Sequence, residues 1–334
     1  MVYTIMNTKR WIALVLVICL IFISIGFRFA MNVASGFFDD FAEALDASNF
    51  EEHVISEGNM NKRIAVLNLE GVIQDTGALW GAGYDHQLFL KMIEHAGEDP
   101  TVEGVVLRVN SPGGAVVETA QIHEALIGLQ EEYDTPLYVS MGNTAASGGY
   151  YVAAPSEKIF AEAATLTGSI GVIMESINYA ELAENYGVHF NTIKSGKHKD
   201  ILSPSREMTK EEKDILQSMI DEMYDDFVQV IVDGREMAES KVRELADGRV
   251  YTGKQAKENN LVDEVGSLKD TLEAMKEDYD LGNAQVIQYG SLFESKLSVF
   301  GVNIQNLFEE KQTEIDKVLS LLNESDKPRA MYLY

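Results

Sequence analysis

Between residues 64 and 153 strand-like and helix-like runs alternate, and this alternation restricts the fold more than any other property of the chain. Residues 64–69 read as a strand and 87–95 as a helix; strand 104–109 precedes helix 115–130, and strand 136–140 precedes helix 145–153. Such a βα series builds a largely parallel sheet with helices packed against it. Further strands are expected at 158–161, 171–175 and 188–194. A long helix should then open near Thr209, where Thr209-Lys210-Glu211-Glu212 supplies a capping box, and Ile215, Met219, Met223, Phe227 and Val230 run along one side. Residues 249–253 and 254–260 read as another strand and helix, and 286–288 as a late strand.

Ahead of the alternation, residues 11–31 read WIALVLVICLIFISIGFRFAM. At ~1.5 Å per residue, about 20 such residues cover the ~30 Å core of a bilayer, with Arg28 near enough to the end to snorkel. Lys9 and Arg10 precede the run; Asp39, Asp40, Glu43, Asp46, Glu51 and Glu52 follow it. The positive-inside rule therefore places residues 1–10 in the cytoplasm and the remainder outside. The alternative is a cleaved signal peptide ending near Val33-Ala34-Ser35, against which stands an apolar run longer than the usual ~7–15 residue signal core. Residues 32–61 read as an acidic linker or short juxtamembrane helix, with order beginning near Arg63. A single domain over 62–290 and a C-terminal amphipathic tail over 291–334, with Ile304, Phe308, Ile315, Val318, Leu319 and Leu322 at mostly helical intervals, complete the organisation.

Composition removes several function classes. With 27 Lys+Arg against 53 Asp+Glu the net charge is −26, which repels nucleic acid and anionic lipid alike. The one cysteine, Cys19, lies inside the apolar run, so no intramolecular disulfide and no cysteine-built metal site is available, and Ile18 stands where a lipoprotein would need a small residue. The six histidines show no ligand spacing; neither metal nor cofactor is expected.

Two glycine-bearing turns each follow a strand of the series: Asn110-Ser111-Pro112-Gly113-Gly114 and Ala145-Ala146-Ser147-Gly148-Gly149. In parallel sheets such turns open on the crevice beyond the strands' C-terminal ends. Ser147 sits among residues too small to shield it, at the first turn of a helix, where free N–H groups favour developing negative charge. It reads equally as a nucleophile or as an N-cap. Taken together, however, the two turns offer what acyl transfer needs, because Gly114 and Gly148 can each bring a backbone N–H to an oxyanion. No histidine stands in a triad-like context: His198 and Asp200, two apart, point away from one another. Lysine is the other base, and Lys194, Lys197 and Lys199 lie just after a predicted strand. Any of them would need its pKa lowered, since at ~10.4 only about one amine in 2,500 is neutral at pH 7, and burial with cationic neighbours does this. Spacing does not choose among the three.

At this point the residues resemble the signal peptide peptidase SppA family. The resemblance rests on Asn110-Ser-Pro-Gly-Gly114, Ala146-Ser-Gly-Gly-Tyr150, Thr167-Gly-Ser-Ile-Gly-Val172, Ser195-Gly-Lys-His-Lys-Asp200 with Ser203-Pro204, and Arg249-Val-Tyr-Thr-Gly253, in that order. It implies a Clp-protease/crotonase-like α/β fold, a repeated β-β-α/βα superhelix with a mostly parallel sheet, here preceded by one transmembrane helix. It further implies a Ser–Lys peptidase with Ser147 as nucleophile, Lys199 as base, Gly114 and Gly148 as oxyanion donors, and Ser169 orienting the lysine. The short, single-domain form implies a homo-oligomeric ring, although a chain carrying both Ser147 and Lys199 need borrow neither. Released signal peptides and other apolar or unfolded segments are the implied substrates, with no nucleic acid partner. The competing classes are a crotonase-like acyl-CoA enzyme, which predicts acidic catalytic residues and no anchor, and a peptide-binding membrane scaffold. The terminal Met331-Tyr-Leu-Tyr334 is expected to visit the cleft as an internal substrate or inhibitor.

Overall fold

The structure, a computed structural model, describes residues 50–75, 84–291 and 330–334. The apolar run at 11–31 and residues 292–329 of the expected amphipathic tail lie outside them. Among the described residues no helix is long and apolar enough to cross a membrane.

The alternating pattern produces a nine-stranded sheet. Its strands are β1 (Phe50–Ser56), β2 (Asn59–Glu70), β3 (Val102–Ser111), β5 (Leu137–Ala146), β6 (Lys158–Ala161), β7 (Leu166–Gly168), β8 (Val250–Thr252), β9 (Glu264–Val265) and β10 (Ala284–Ser291). The order across the sheet is β1-β10-β2-β3-β5-β6-β9, with β7 extending from β5 and carrying β8. All neighbours are parallel except β1 on β10 and β8 on β7. A short β4 (Gly113–Ala115) lies off this sheet and pairs antiparallel with β11 (Met331–Leu333).

Period-two alternation explains the layers. In the central strands Ala65, Leu67, Leu69, Val105, Leu107, Val109, Leu137, Val139 and Met141 face one apolar layer. That layer is completed by α1 (His86–Glu98), α2 (Val116–Glu131), α3 (Gly148–Ala153) and α5 (Lys210–Gly234). The intervening Ile64, Val66, Val106 and Tyr138 face a smaller layer with Met275, from α8 (Leu268–Asp278), and Val286. With both faces covered, the strands read as continuous apolar runs. Each Val or Leu buried this way contributes ~1.5–3 kcal/mol.

Three expectations change. Regular structure is present ahead of Arg63: β1 and the start of β2 occupy residues expected as linker, and β1 closes an edge of the sheet by pairing with β10. Residues 171–175 form no strand, only one bridge from Ile173 to Met331. Residues 188–194 find no ladder partner among the described residues, and Val188, Phe190 and Ile193 stand exposed. A strand without a neighbour leaves its backbone groups to water. The capping box at Thr209 forms, with Thr209 Oγ1 accepting from Glu212 N–H, and opens a helix of 25 residues.

Candidate active site

β5 leads directly into α3, and the junction is Ser147, at φ 53° and ψ −117°. A non-glycine residue in this region carries backbone strain of order 1–3 kcal/mol and persists only where its surroundings hold it. They do: the Ser147 carbonyl accepts from both Tyr150 and Tyr151 N–H at 2.9 Å, and its own N–H donates to Gly168 O at 2.7 Å. All six residues of α3 are buried, and Tyr150 Oη donates to Leu261 O at 2.7 Å. Ser147 is 1% exposed, yet its Oγ has no hydrogen-bond partner among the described residues. A buried hydroxyl left unpaired is rare, and one at a strained strand-to-helix turn has the properties of a held, reactive group.

The two glycine turns meet here. Gly113 lies at φ 98°, and its N–H donates to the buried Ser111 Oγ at 3.1 Å, which tightens the turn. A Cβ added to Gly113 would stand 2.6 Å from Gly148 N, and one added to Gly148 would stand 3.2 Å from Gly114 N and 2.9 Å from Thr119 Oγ1. Only glycine at both positions lets the backbones approach this closely. Thr119, which the sequence reading passed over, is fully buried and donates to Ala115 O at 2.8 Å, bracing β4 against α2.

Two further segments back the nucleophile turn. β7 pairs with the end of β5 through Ala146 and Gly168, so Ser169 follows beside Ser147; Ser169 also has positive φ, 50°. Its N–H is held by Arg249 O at 2.8 Å, because β8 pairs with β7 through Thr167 and Tyr251. A side chain at 168 would collide with the Tyr251 ring. Four of the five sequence segments thus converge on one strand end.

Residues 331–333, part of the segment expected to visit the cleft, form β11 beside the first glycine turn. β11 lies between β4 on one side and Ile173 on the other: Met331 exchanges both backbone bonds with Ile173, at 3.0 and 3.1 Å, and Tyr334 N–H donates to Pro112 O at 3.0 Å. In this antiparallel register Tyr332 is the partner of Gly114, so the Gly114 N–H faces the Tyr332 carbonyl. A Cβ on Gly113 would overlap that same carbonyl oxygen. The Tyr332 side chain is 1% exposed, packed on Tyr151 and Phe227 with centroids 5.1 and 4.8 Å away, and its Oη donates to Met223 O at 3.1 Å. Burial pushes its phenol well above the usual range. Tyr151 and Phe227 were legible only as core residues; nothing in their spacing marks a pocket.

Lys199 is elsewhere. It is exposed, within tight turns in which Lys199 N–H donates to Gly196 O at 3.2 Å and Ile201 N–H to His198 O at 3.1 Å. Its side chain makes no hydrogen bond or ion pair among the described residues, and the unpaired Ser147 Oγ is not bonded to it. The cationic neighbours expected to lower its pKa are themselves answered by acids, Lys194 by Asp200 and Lys197 by Glu211. His198 and Asp200 do point apart, His198 toward Glu211 and Glu212 and Asp200 toward Arg206. Ser147, Gly114, Gly148 and Ser169 are therefore brought together, and among the described residues no hydrogen bond or ion pair joins Lys199 to them.

Glu52, His95 and Asp99 converge closely enough to hold an ion. The Arg63 guanidinium already lies against both carboxylates, with Nη1 2.7 Å from Glu52, and the group sits at the N-terminal ends of β2 and β3, opposite the cleft.

The pattern of Peptidase family S49 matches residues 130–282, which include Ser147, Ser169 and Lys199. A provisionally named signal peptide peptidase SppA of Enterococcus faecium is 39% identical over 98% of this chain and 99% of its own length. Protease 4 of Haemophilus influenzae is 29% identical over 83% of this chain and 47% of its own length. The chloroplastic serine protease SPPA of Arabidopsis thaliana is 32% identical over 59% of this chain and 29% of its own length. With a full-length relative, a matching family pattern and a buried serine at a strand-to-helix turn, the chain belongs to peptidase family S49 and is a serine-type peptidase.

Proposed function

We propose that the chain is a membrane-anchored Ser–Lys endopeptidase that cleaves apolar, extended peptides, released signal peptides among them. The observation that carries this reading is β11: an extended peptide laid antiparallel on β4, with a carbonyl facing the Gly114 amide beside an unpaired serine hydroxyl. A substrate strand in the same place would present its scissile carbonyl to Ser147. The relative named as a signal peptide peptidase supports that substrate class, and the apolar run at 11–31 would keep the site near the bilayer that supplies it.

In this mechanism neutral Lys199 accepts the Ser147 proton as Oγ bonds to the carbonyl carbon, and the Gly114 and Gly148 amides hold the oxyanion. The C–N bond breaks as the lysine ammonium returns that proton to the leaving amine. Water, deprotonated by Lys199, then attacks the ester, and the acid departs with Oγ reprotonated. Ser169 would accept or donate a hydrogen bond to the amine and fix its direction.

Lys199 must be desolvated for this, and alone it is not. The arm that carries it, residues 173–208, exposes Ile177, Leu182, Tyr186, Val188, Phe190 and Ile193. An apolar surface of that extent needs a cover. We read the cover as neighbouring copies in a homo-oligomeric ring, whose contact takes the arm out of water. The test is labelling of Ser147 by a serine-directed acylating probe in the full chain. Labelling lost in Lys199→Ala supports the dyad; labelling and turnover that survive in purified Lys199→Arg would refute the base assignment.

A further inference from the structure

Beyond the dyad, Arg206 is the residue most completely engaged near the proposed base. Its Nε donates to Asp200 Oδ2 at 2.9 Å and its Nη2 to Asp200 Oδ1 at 2.7 Å and to the Asp200 backbone carbonyl at 3.0 Å. The same guanidinium donates from Nη1 and Nη2 to Glu212 at 2.8 and 2.6 Å, and from Nη1 to Glu207 O at 3.0 Å. Glu212, 2% exposed, also accepts from Thr209 N–H and Oγ1, both at 3.0 Å. Asp200 in turn accepts from Lys194 Nζ at 2.5 Å. One planar fork therefore ties the residue after Lys199, by side chain and main chain together, to the first turn of α5.

That turn is not free to move. Lower on the same helix Phe227, Val228 and Ile231 are buried in the main core, and Phe227 and Met223 form part of the pocket that holds Tyr332. The arm beyond is exposed and without regular structure apart from α4 (Ala180–Asn185), and the other ties to that turn, from Lys197 and His198 to Glu211, are more exposed pairs. A lysine base works only when its amine is held in line with the hydroxyl, and misplacement by about 1 Å costs ~10²-fold in rate.

We infer that Arg206 is the positioning residue for Lys199, transmitting the orientation of α5 through Asp200 to the base. The inference rests on the proposed role of Lys199 and extends it. A surface salt bridge would contribute little; a doubly bidentate arginine with one carboxylate buried is a different object, which lysine does not replace.

The experiment measures kcat and KM of the full-length chain on a fluorogenic apolar peptide, for Arg206→Ala, Arg206→Lys and Lys199→Ala, with melting temperature and assembly size recorded for each. Arg206→Ala should lower kcat by ~10²-fold with KM within about twofold. Millimolar guanidinium, bridging the vacated carboxylates, should restore part of that kcat, and Arg206→Lys should keep no more than about a tenth of it. Loss of kcat without guanidinium rescue, accompanied by a lowered melting temperature, would mark Arg206 as merely structural and overturn the inference. So would an Arg206→Ala kcat within about threefold of wild type when Lys199→Ala is inactive. Turnover that survives Lys199→Ala brings down the reading of the base instead, and the inference with it. If Arg206→Ala does not fold, the kcat and KM of Arg206→Lys decide by the same criteria.

Discussion

Ser147 and Lys199 live in opposite surroundings. The serine stands at the end of a central strand, 1% exposed, braced by β7, β8 and the first glycine turn. The lysine stands on an irregular, exposed arm stitched by ion pairs to the start of α5. A nucleophile's geometry is a backbone property, and one fold can supply all of it. A lysine base needs removal from water, which this chain by itself does not provide. Under the proposed dyad, nucleophile and oxyanion donors are set by the fold, and the base by whatever covers the arm.

The sharpest way to break this contrast is to remove each member. Ser147→Ala and Lys199→Ala should each lower kcat by at least ~10⁴-fold with fold and assembly intact, measured on a fluorogenic peptide. A residual rate near wild type in either would end the two-part description. Mixing the two inactive chains asks where the base comes from. If Lys199 serves a neighbouring copy, random equal mixing should return about a quarter of the wild-type rate; an inactive mixture of well-assembled chains would place the pair within one copy.

Gly148→Ala acts on the folded half alone. The added methyl meets Thr119 Oγ1 at 2.9 Å and presses on the Gly114 amide, and kcat should fall ~10²–10³-fold while Ser147 remains in place. Unchanged kcat would remove Gly148 from the oxyanion site. On the arm, pH provides the probe. Arg206 first of all, then Thr209, holds the Glu212 carboxyl at about 2, and Arg206 with Lys194 holds Asp200 lower still. Both are depressed below their unfolded values, so the clamp's contribution is complete above about pH 5 and is lost only as pH falls through about 2. Activity lost between pH 9 and 5 should therefore come with no change in melting temperature; parallel loss of both would implicate the arm's structure instead.

The smallest effect concerns cover. Ile193, fully exposed, can become Ser with stability of the isolated chain changed by no more than ~0.5 kcal/mol, whereas Leu107→Ala in the core should cost ~2–5 kcal/mol by denaturant unfolding. A weakened assembly in Ile193→Ser, read by sedimentation, would assign the arm to subunit contact; an unchanged one would not.

The sequence made one half of this legible and obscured the other for a physical reason. Strands β2, β3 and β5 are buried on both faces, so their apolar runs announce themselves, and the Thr209 capping box is a local signal that needs no tertiary context. The glycine turns pointed to a shared cleft because glycine at 113, 114 and 148 answers a backbone requirement. By contrast residues 188–194 read as a strand yet pair with no strand among the described residues, and β1 hid in an acidic stretch because an edge strand can be polar. The Tyr151–Phe227 pocket depends on a contact between residues far apart in the chain, and the Arg206 clamp on turns that bring residues 200 and 212 together, neither of which a periodic pattern encodes.

The left-handed backbone at position 147 has one more consequence. Glycine would occupy that conformation without strain, so Ser147→Gly should be inactive and yet melt at a higher temperature than the active chain. On the proposed role of Ser147, durability and catalysis compete at this residue.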